Sequence, residues 1–181
     1  AAPDPWVVVD PVRAKALRAA LQARHPGKHL VGITWRSSAP TGARRSIPPA
    51  LWAGIAEVPG AALVSLQYSV LDEDMAAFEA AGIQLDNSHG VDPMQDLDGL
   101  AALTSVMDLV ISPPNNTVHF AGAVAVPCWV MVPTRPDWRW GLNRSDSLWY
   151  PKTRVYRQET DGDWQPVLSQ VVRDLRLWSS P

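Results

Sequence analysis

The sequence predicts an α/β domain, a parallel sheet with helices on both faces, and three observations carry that prediction. Short apolar runs alternate with amphipathic stretches through most of the chain, as strand–helix–strand units require. Stop signals such as Pro26-Gly27, Pro59-Gly60 and Pro127 fall between them. Residues 108–132, DLVISPPNNTVHFAGAVAVPCWVMV, read as one whole unit of strand, turn, helix, turn and strand. That unit organises the rest, because it brings a helix N-terminus to the carboxyl end of a parallel sheet. Unpaired N–H groups and the positive end of the helix dipole meet there, and both suit a phosphate.

The elements follow in order. Residues 1–10 are extended, with Pro3, Pro5 and an apolar patch from Trp6, and read as a connector; residues 11–181 form the domain. Asp10-Pro11 opens a helix whose stripe of Val12, Leu17, Ala20 and Leu21 runs toward Arg24. Residues 30–35 are a buried strand, and 36–46, RSSAPTGARRS, a polar loop at its carboxyl end. Pro48-Pro49 opens a helix with Leu51, Ile55 and Val58 on one face. A strand is expected at 62–67, a helix at 72–81, a short strand at 83–85 and a polar loop at 86–95. Asp96 caps a helix with Leu97, Leu100, Leu103 and Met107 at helical spacing. In the organising unit the strands are 108–112 and 128–132 and the helix 117–125, with Asn115 and Asn116 as cap residues. A long loop, 134–153, precedes a strand near 154–157. Asp163 caps the last helix, with Trp164, Val167, Leu168, Val171, Val172 and Leu175 on one face. A loop as long as 134–153 inside a compact domain is often functional.

Composition narrows the function classes. A chain of 181 residues fits one domain, and 46% hydrophobic residues suffice for a sizeable core. A net charge of −2 argues against a nucleic-acid partner, which needs a basic face. A small anionic ligand needs only two or three local donors. The single cysteine, Cys128, leaves no internal disulfide and no zinc cluster, and its place in a core strand gives it a packing role. No apolar run approaches the roughly 20 residues that span a bilayer, and no secretion signal opens the chain, so a soluble cytoplasmic setting is expected. Neither a Gly-x-Gly-x-x-Gly run, nor a Walker lysine motif, nor a nucleophile elbow is present. No metal-binding carboxylate pair stands out, so no metal is expected.

In an open parallel sheet, ligands sit beyond the carboxyl ends of the strands. Four loops should meet there. The first carries Arg36, Ser37, Ser38, Arg44 and Arg45, the second Gln67 and Tyr68, the third Met94, Gln95 and Asp96 ahead of Leu97, and the fourth Asn115, Asn116, Thr117 and His119. Thr117 and His119 fall in the first helical turn, where a hydroxyl and an imidazole can donate to phosphoryl oxygens. Arginine for charge, helix amides for oxygens and a loop for the base make the inventory of a nucleoside-diphosphate site. A plainer reading stands beside it: solvated loop arginines, an ordinary helix cap, a core histidine, and Met94 and Leu97 in the core.

The run MQDLDGLAALTSVMDLVIS, then NNTVHFAGA, then VPCWVMVP, resembles the C-terminal nucleotide-sugar-binding domain of heptosyltransferase-like glycosyltransferases of family 9 type. GITWRSS with RRSIP, PDWRWGL, SLWYP and Arg157-Gln158 resemble the subgroup attached to tetratricopeptide repeats. The resemblance runs from about Trp6 to Trp178 and rests on the order and spacing of the motifs together. It implies a GT-B architecture, two Rossmann-like domains facing across a cleft, of which this chain matches the second. It implies Arg45 on phosphate, Asn115, Asn116, Thr117 and His119 at the diphosphate, and Met94, Gln95, Asp96 and Leu97 around base and ribose; Arg36, Ser37 and Gln67 complete the candidate set. It implies a UDP- or ADP-linked sugar donor, inverting chemistry without metal, and a catalytic base in an N-terminal domain. The chain alone is then expected to bind rather than catalyse. Pro114 departs from the pattern, since many heptosyltransferases have an acidic residue there. A non-catalytic nucleotide-sugar scaffold or sensor, and a sugar-nucleotide epimerase of the same fold, are the alternatives.

Overall fold

The apolar runs become strands because each has a burial demand on both faces. The computed structural model describes residues 5–37 and 42–179. Residues 1–4 of the expected connector, and Ser38 of the first loop, lie outside the described residues. Among the described residues six strands form one sheet: β1 (His29–Ile33), β2 (Ala61–Ser65), β3 (Leu85–Asp86), β4 (Leu109–Ser112), β5 (Cys128–Val132) and β6 (Thr153–Arg157). All pair in parallel, in the order β3-β2-β1-β4-β5-β6. This is the doubly wound, Rossmann-like α/β arrangement that the alternating pattern anticipates.

The two-residue period of a strand sends neighbours to opposite faces. Val31, Ile33, Leu109, Ile111, Trp129 and Met131 face one core, against α2 (Ala53–Ala56), α3 (Asp72–Ala80) and α6 (Gln165–Trp178). Leu30, Val64, Val110, Cys128, Val130 and Val132 face the other, against α1 (Pro11–Arg24), α4 (Leu97–Ser105) and α5 (Asn116–Ala123). Burial on both faces explains why β2, β4 and β5 are apolar without alternation. Cys128 is fully buried, and burial pushes its thiol pKa up.

Helix starts follow the caps. Asp10 Oδ1 accepts from Val12 N at 2.9 Å, Asp96 Oδ1 from Gly99 N at 2.8 Å and Asn115 Oδ1 from Thr117 N at 3.0 Å. Asp163 accepts from Gln165 N at 3.1 Å, so it serves the last helix as expected. Most boundaries shift by a residue or two, as where the strands expected at 30–35 and 62–67 are His29–Ile33 and Ala61–Ser65, and two elements change character or place. The helix expected from Pro49 is a 3₁₀ turn, Pro49–Trp52, followed by the single α turn of α2. The strand expected at 83–85 is only Leu85–Asp86. Ile83 instead closes α3, donating to Phe78 O, and fills the core.

Asp86 explains the shift. Its carboxylate holds Arg24 Nε and His25 Nε2, each at 2.8 Å, and tethers the end of α1 to the short edge strand. Its side chain is 5% exposed. Burial pushes its pKa up, but hydrogen bonds from Arg24, Ser88 and His25 outweigh that and lower it from 3.8 to about 2. The stabilisation is therefore present above the unfolded value of 3.8 and is lost as pH falls through about 2. Asp86→Asn should lower stability at pH 7 by about 1–2 kcal/mol, the full shift being discounted for a partly exposed Arg24. The gap between variant and wild type should shrink as pH falls from 3.8 toward 2. Urea unfolding at several pH values checks both the size and the trend.

Candidate functional site

The switch point of the sheet lies between β1 and β4, whose crossovers run to opposite faces. The backbone ladder between them ends with Thr34 N donating to Ile111 O at 3.3 Å, and polar side chains continue the link beyond it. Thr34 Oγ1 and Ser112 Oγ stand 2.6 Å apart. Asn115 Nδ2 donates to Thr34 Oγ1 at 2.8 Å and to Arg36 O at 3.1 Å. Next door, Gln67 Oε1 accepts from Trp35 N at 3.1 Å and from Arg36 N at 3.0 Å.

Above this floor is a cavity of about 310 Å³, lined by Ser37, Arg45, Tyr68, Pro114, Asn115, Asn116 and His119. A second hollow of about 250 Å³ shares Tyr68 and Asn116 with it and is lined also by Pro93, Met94, Leu97, Leu100, Thr117 and Phe120. The first is polar and the second largely apolar in its lining residues. Arg45 reaches the cavity from a tight turn, in which its N–H donates to Gly42 O at 2.9 Å. Gly42 is required there, since a Cβ would lie 1.9 Å from the Ser37 carbonyl oxygen. Asn116 opens α5 and is exposed. The first-turn N–H groups of a helix have no partner within it, so α5 brings donors and a dipole end to the same place as Arg45.

His119 is half-buried, with Nδ1 2.8 Å from the Tyr150 hydroxyl and its ring stacked on Trp140. Burial lowers its pKa below 6.5, the Arg139 charge adds to this, and Asp137 opposes it. Asp137 itself is pushed up by burial. The hydrogen bonds from Arg139 and the charges of Arg139 and Arg45 outweigh that and hold its carboxyl below its usual range.

Several sequence-derived candidates prove to be parts of the frame. Gln67 is 2% exposed, and its amide clamps the chain that leaves β1. Arg36 pairs with Asp74 at 3.0 Å and donates to Ser69 O, so its charge is already matched. Asp96 caps α4 and holds Arg13, with Arg13 Nη1 at 3.0 Å from its Oδ1; it points at α1. Asn115 borders the cavity, but its side-chain amide is engaged inside the switch point. Thr117 is fully buried, and its hydroxyl lies 3.4 Å from Leu66 O, not toward a phosphate. Gln95 is exposed, with its N–H on Asp92 O, and lines neither hollow. Arg45, Ser37, Asn116 and His119 are brought together; Met94 and Leu97 meet in the second hollow, more than half exposed and not in the core. Tyr150 and Asp137 were missed. The sequence signal for them is the density of aromatic and charged residues in loop 134–153.

No protein-family model matches the chain. It is 35% identical over 170 residues to Protein FlbA of Caulobacter vibrioides, a match covering 92% of this chain and 28% of that protein. A glycosyl transferase family 9 structure from Veillonella parvula superposes with a TM-score of 0.64 and 14% identity, over 96% of this chain and 54% of that one. E. coli ADP-heptose lps heptosyltransferase II gives a TM-score of 0.58 and 14% identity, over 96% of this chain and 53% of that one. The chain therefore has a Rossmann-like fold of the GT-B glycosyltransferase kind, and spans about half the length of those two structures and under a third of FlbA. Among the described residues, no helix is long and apolar enough to cross a membrane.

Gln67→Ala removes the acceptor of one buried and one part-buried backbone N–H group. It should lower stability by roughly 2–4 kcal/mol, the size of two orphaned donors. Denaturant unfolding measures this. A ligand role for Gln67 predicts unchanged stability and weaker nucleotide binding instead.

Proposed function

We propose that this chain is the donor, nucleotide-sugar-binding domain of an inverting, metal-independent glycosyltransferase. The observation that supports the reading is the placing of Arg45, the first turn of α5 and His119 around one cavity at the sheet's switch point, with a less polar hollow alongside. A diphosphate fits the first: Arg45 offers a charged fork, α5 its free amides and dipole. A base and ribose fit the second, against Tyr68, Met94 and Leu97. The likeness to a protein named for ADP-heptose favours an ADP- or UDP-linked sugar.

In the reaction, an acceptor hydroxyl attacks the anomeric carbon, the bond from that carbon to the diphosphate breaks, and a base takes the hydroxyl proton. Charge develops on the leaving diphosphate, where Arg45 and the helix terminus act. The base and the acceptor site belong to an N-terminal domain outside this chain, attached with tetratricopeptide repeats in a cytoplasmic protein. On this reading the chain alone binds the donor and does not turn it over. Pro114 lines the cavity where many heptosyltransferases have an acidic residue, and this favours a second reading, a nucleotide-sugar sensor or scaffold without catalysis.

With half of the cleft missing, ADP or UDP should bind with a Kd of roughly 0.1–1 mM, unaffected by EDTA. Calorimetry with and without chelator tests this, and no binding at several millimolar ligand speaks against both readings. Arg45→Ala should weaken nucleoside-diphosphate binding by about 1.5–3 kcal/mol and leave the uncharged nucleoside nearly untouched. Arg45→Lys should restore only part, since an ammonium cannot replace a two-pronged guanidinium. Equal losses for nucleoside and diphosphate, with a lower melting temperature, would make the Arg45 turn structural.

A further inference from the structure

Tyr150 comes from the long loop after β5, 31 residues beyond His119. Its ring lies flat on α5 because Gly122 leaves room. A Cβ at position 122 would stand 2.1 Å from Tyr150 Cδ1 and 2.5 Å from Cγ. Gly122 is three residues after His119 and so shares its helix face. From there the hydroxyl reaches His119 Nδ1 at 2.8 Å. Trp6 packs on Tyr150 with ring centroids 5.8 Å apart, and Trp140 stacks on His119 at 22°. Both partners of the hydrogen bond are thus held by packing.

The direction of the bond follows from donor and acceptor strength. Among the described residues the Tyr150 hydroxyl has no acceptor within reach other than Nδ1. A phenol O–H is a stronger donor than a neutral imidazole N–H, and a bare imidazole nitrogen is a stronger acceptor than a phenol oxygen. If Tyr150 donates, both groups are satisfied and the imidazole proton sits on Nε2.

We infer that Tyr150 is a positioning residue, which fixes His119 as its Nε2–H tautomer and presents that N–H to the cavity shared with Arg45. The inference deepens the proposed function: a neutral donor accepts a phosphoryl oxygen as partner without adding charge. His119 can then hold the diphosphate at any pH where the ring is neutral, with Arg45 alone supplying the cation.

Long-range ¹H–¹⁵N correlation spectra of the 181-residue chain report the ring nitrogens directly. The wild type should show His119 with a bare Nδ1 and a protonated Nε2. Tyr150→Phe removes one oxygen and should give a mixture of tautomers, with ADP or UDP affinity down roughly two- to tenfold. Gly122→Ala keeps the hydroxyl but displaces the ring, and should change the ring shifts in the same way. A wild-type His119 protonated on Nδ1, or ring shifts unmoved by Tyr150→Phe, overturns the inference. If the wild type binds neither nucleotide, the proposed function fails, and the ring shifts still decide the tautomer.

Discussion

Everything at the carboxyl end of this sheet depends on how the parting of β1 and β4 is closed. The backbone ladder between them ends with Thr34 N donating to Ile111 O at 3.3 Å, and buried polar groups left alone beyond it would cost on the order of 1–3 kcal/mol each. Asn115 resolves this with one side chain. Its carbonyl caps α5, while its amide joins Thr34 and the carbonyl of Arg36. Gln67 does the same for the chain leaving β1. The floor of the cavity is therefore a closed hydrogen-bond network, and the groups above it can be spaced for a ligand.

This division separates two kinds of polar residue that look alike in a sequence. Asn115 and Asn116 are neighbours of the same type, yet one is buried and fully engaged and the other is exposed. Arg36 and Arg45 lie in one loop, yet Arg36 is matched by Asp74 on α3 while Arg45 opens on the cavity. Charge at the cavity is then set by few groups, because frame charges such as Arg36 are already paired within the fold.

The fold was legible because its signals are local. Apolar runs, caps such as Asp10 and Asp96, and the punctuation of Pro and Gly place most elements within a residue or two. The site was legible only as a neighbourhood. Strand ends and one helix start put Arg45, Asn116 and His119 in the same region. Which side chains are engaged by the frame depends on distant partners, such as Gln67 with Arg36 (31 apart) or Asn115 with Thr34 (81 apart), and no local pattern encodes those. The same holds for Asp86, whose partners Arg24 and His25 lie 62 and 61 residues away. Tyr150 escaped for a further reason: its place on α5 depends on the missing side chain of Gly122.

The sheet's margins have a consequence of their own. A parallel sheet ends in two rows of unpaired amides and carbonyls, which invite a strand from another chain. At one margin β3 is only two residues long and offers almost no template. At the other, the long loop doubles back along β6: Val155 N donates to Ser145 O at 2.8 Å, and Asp146 bridges Arg154 in antiparallel fashion. The loop that carries Tyr150 to His119 therefore also seals the sheet. Shortening it would uncover a strand edge, turning a local trim into a route to self-association.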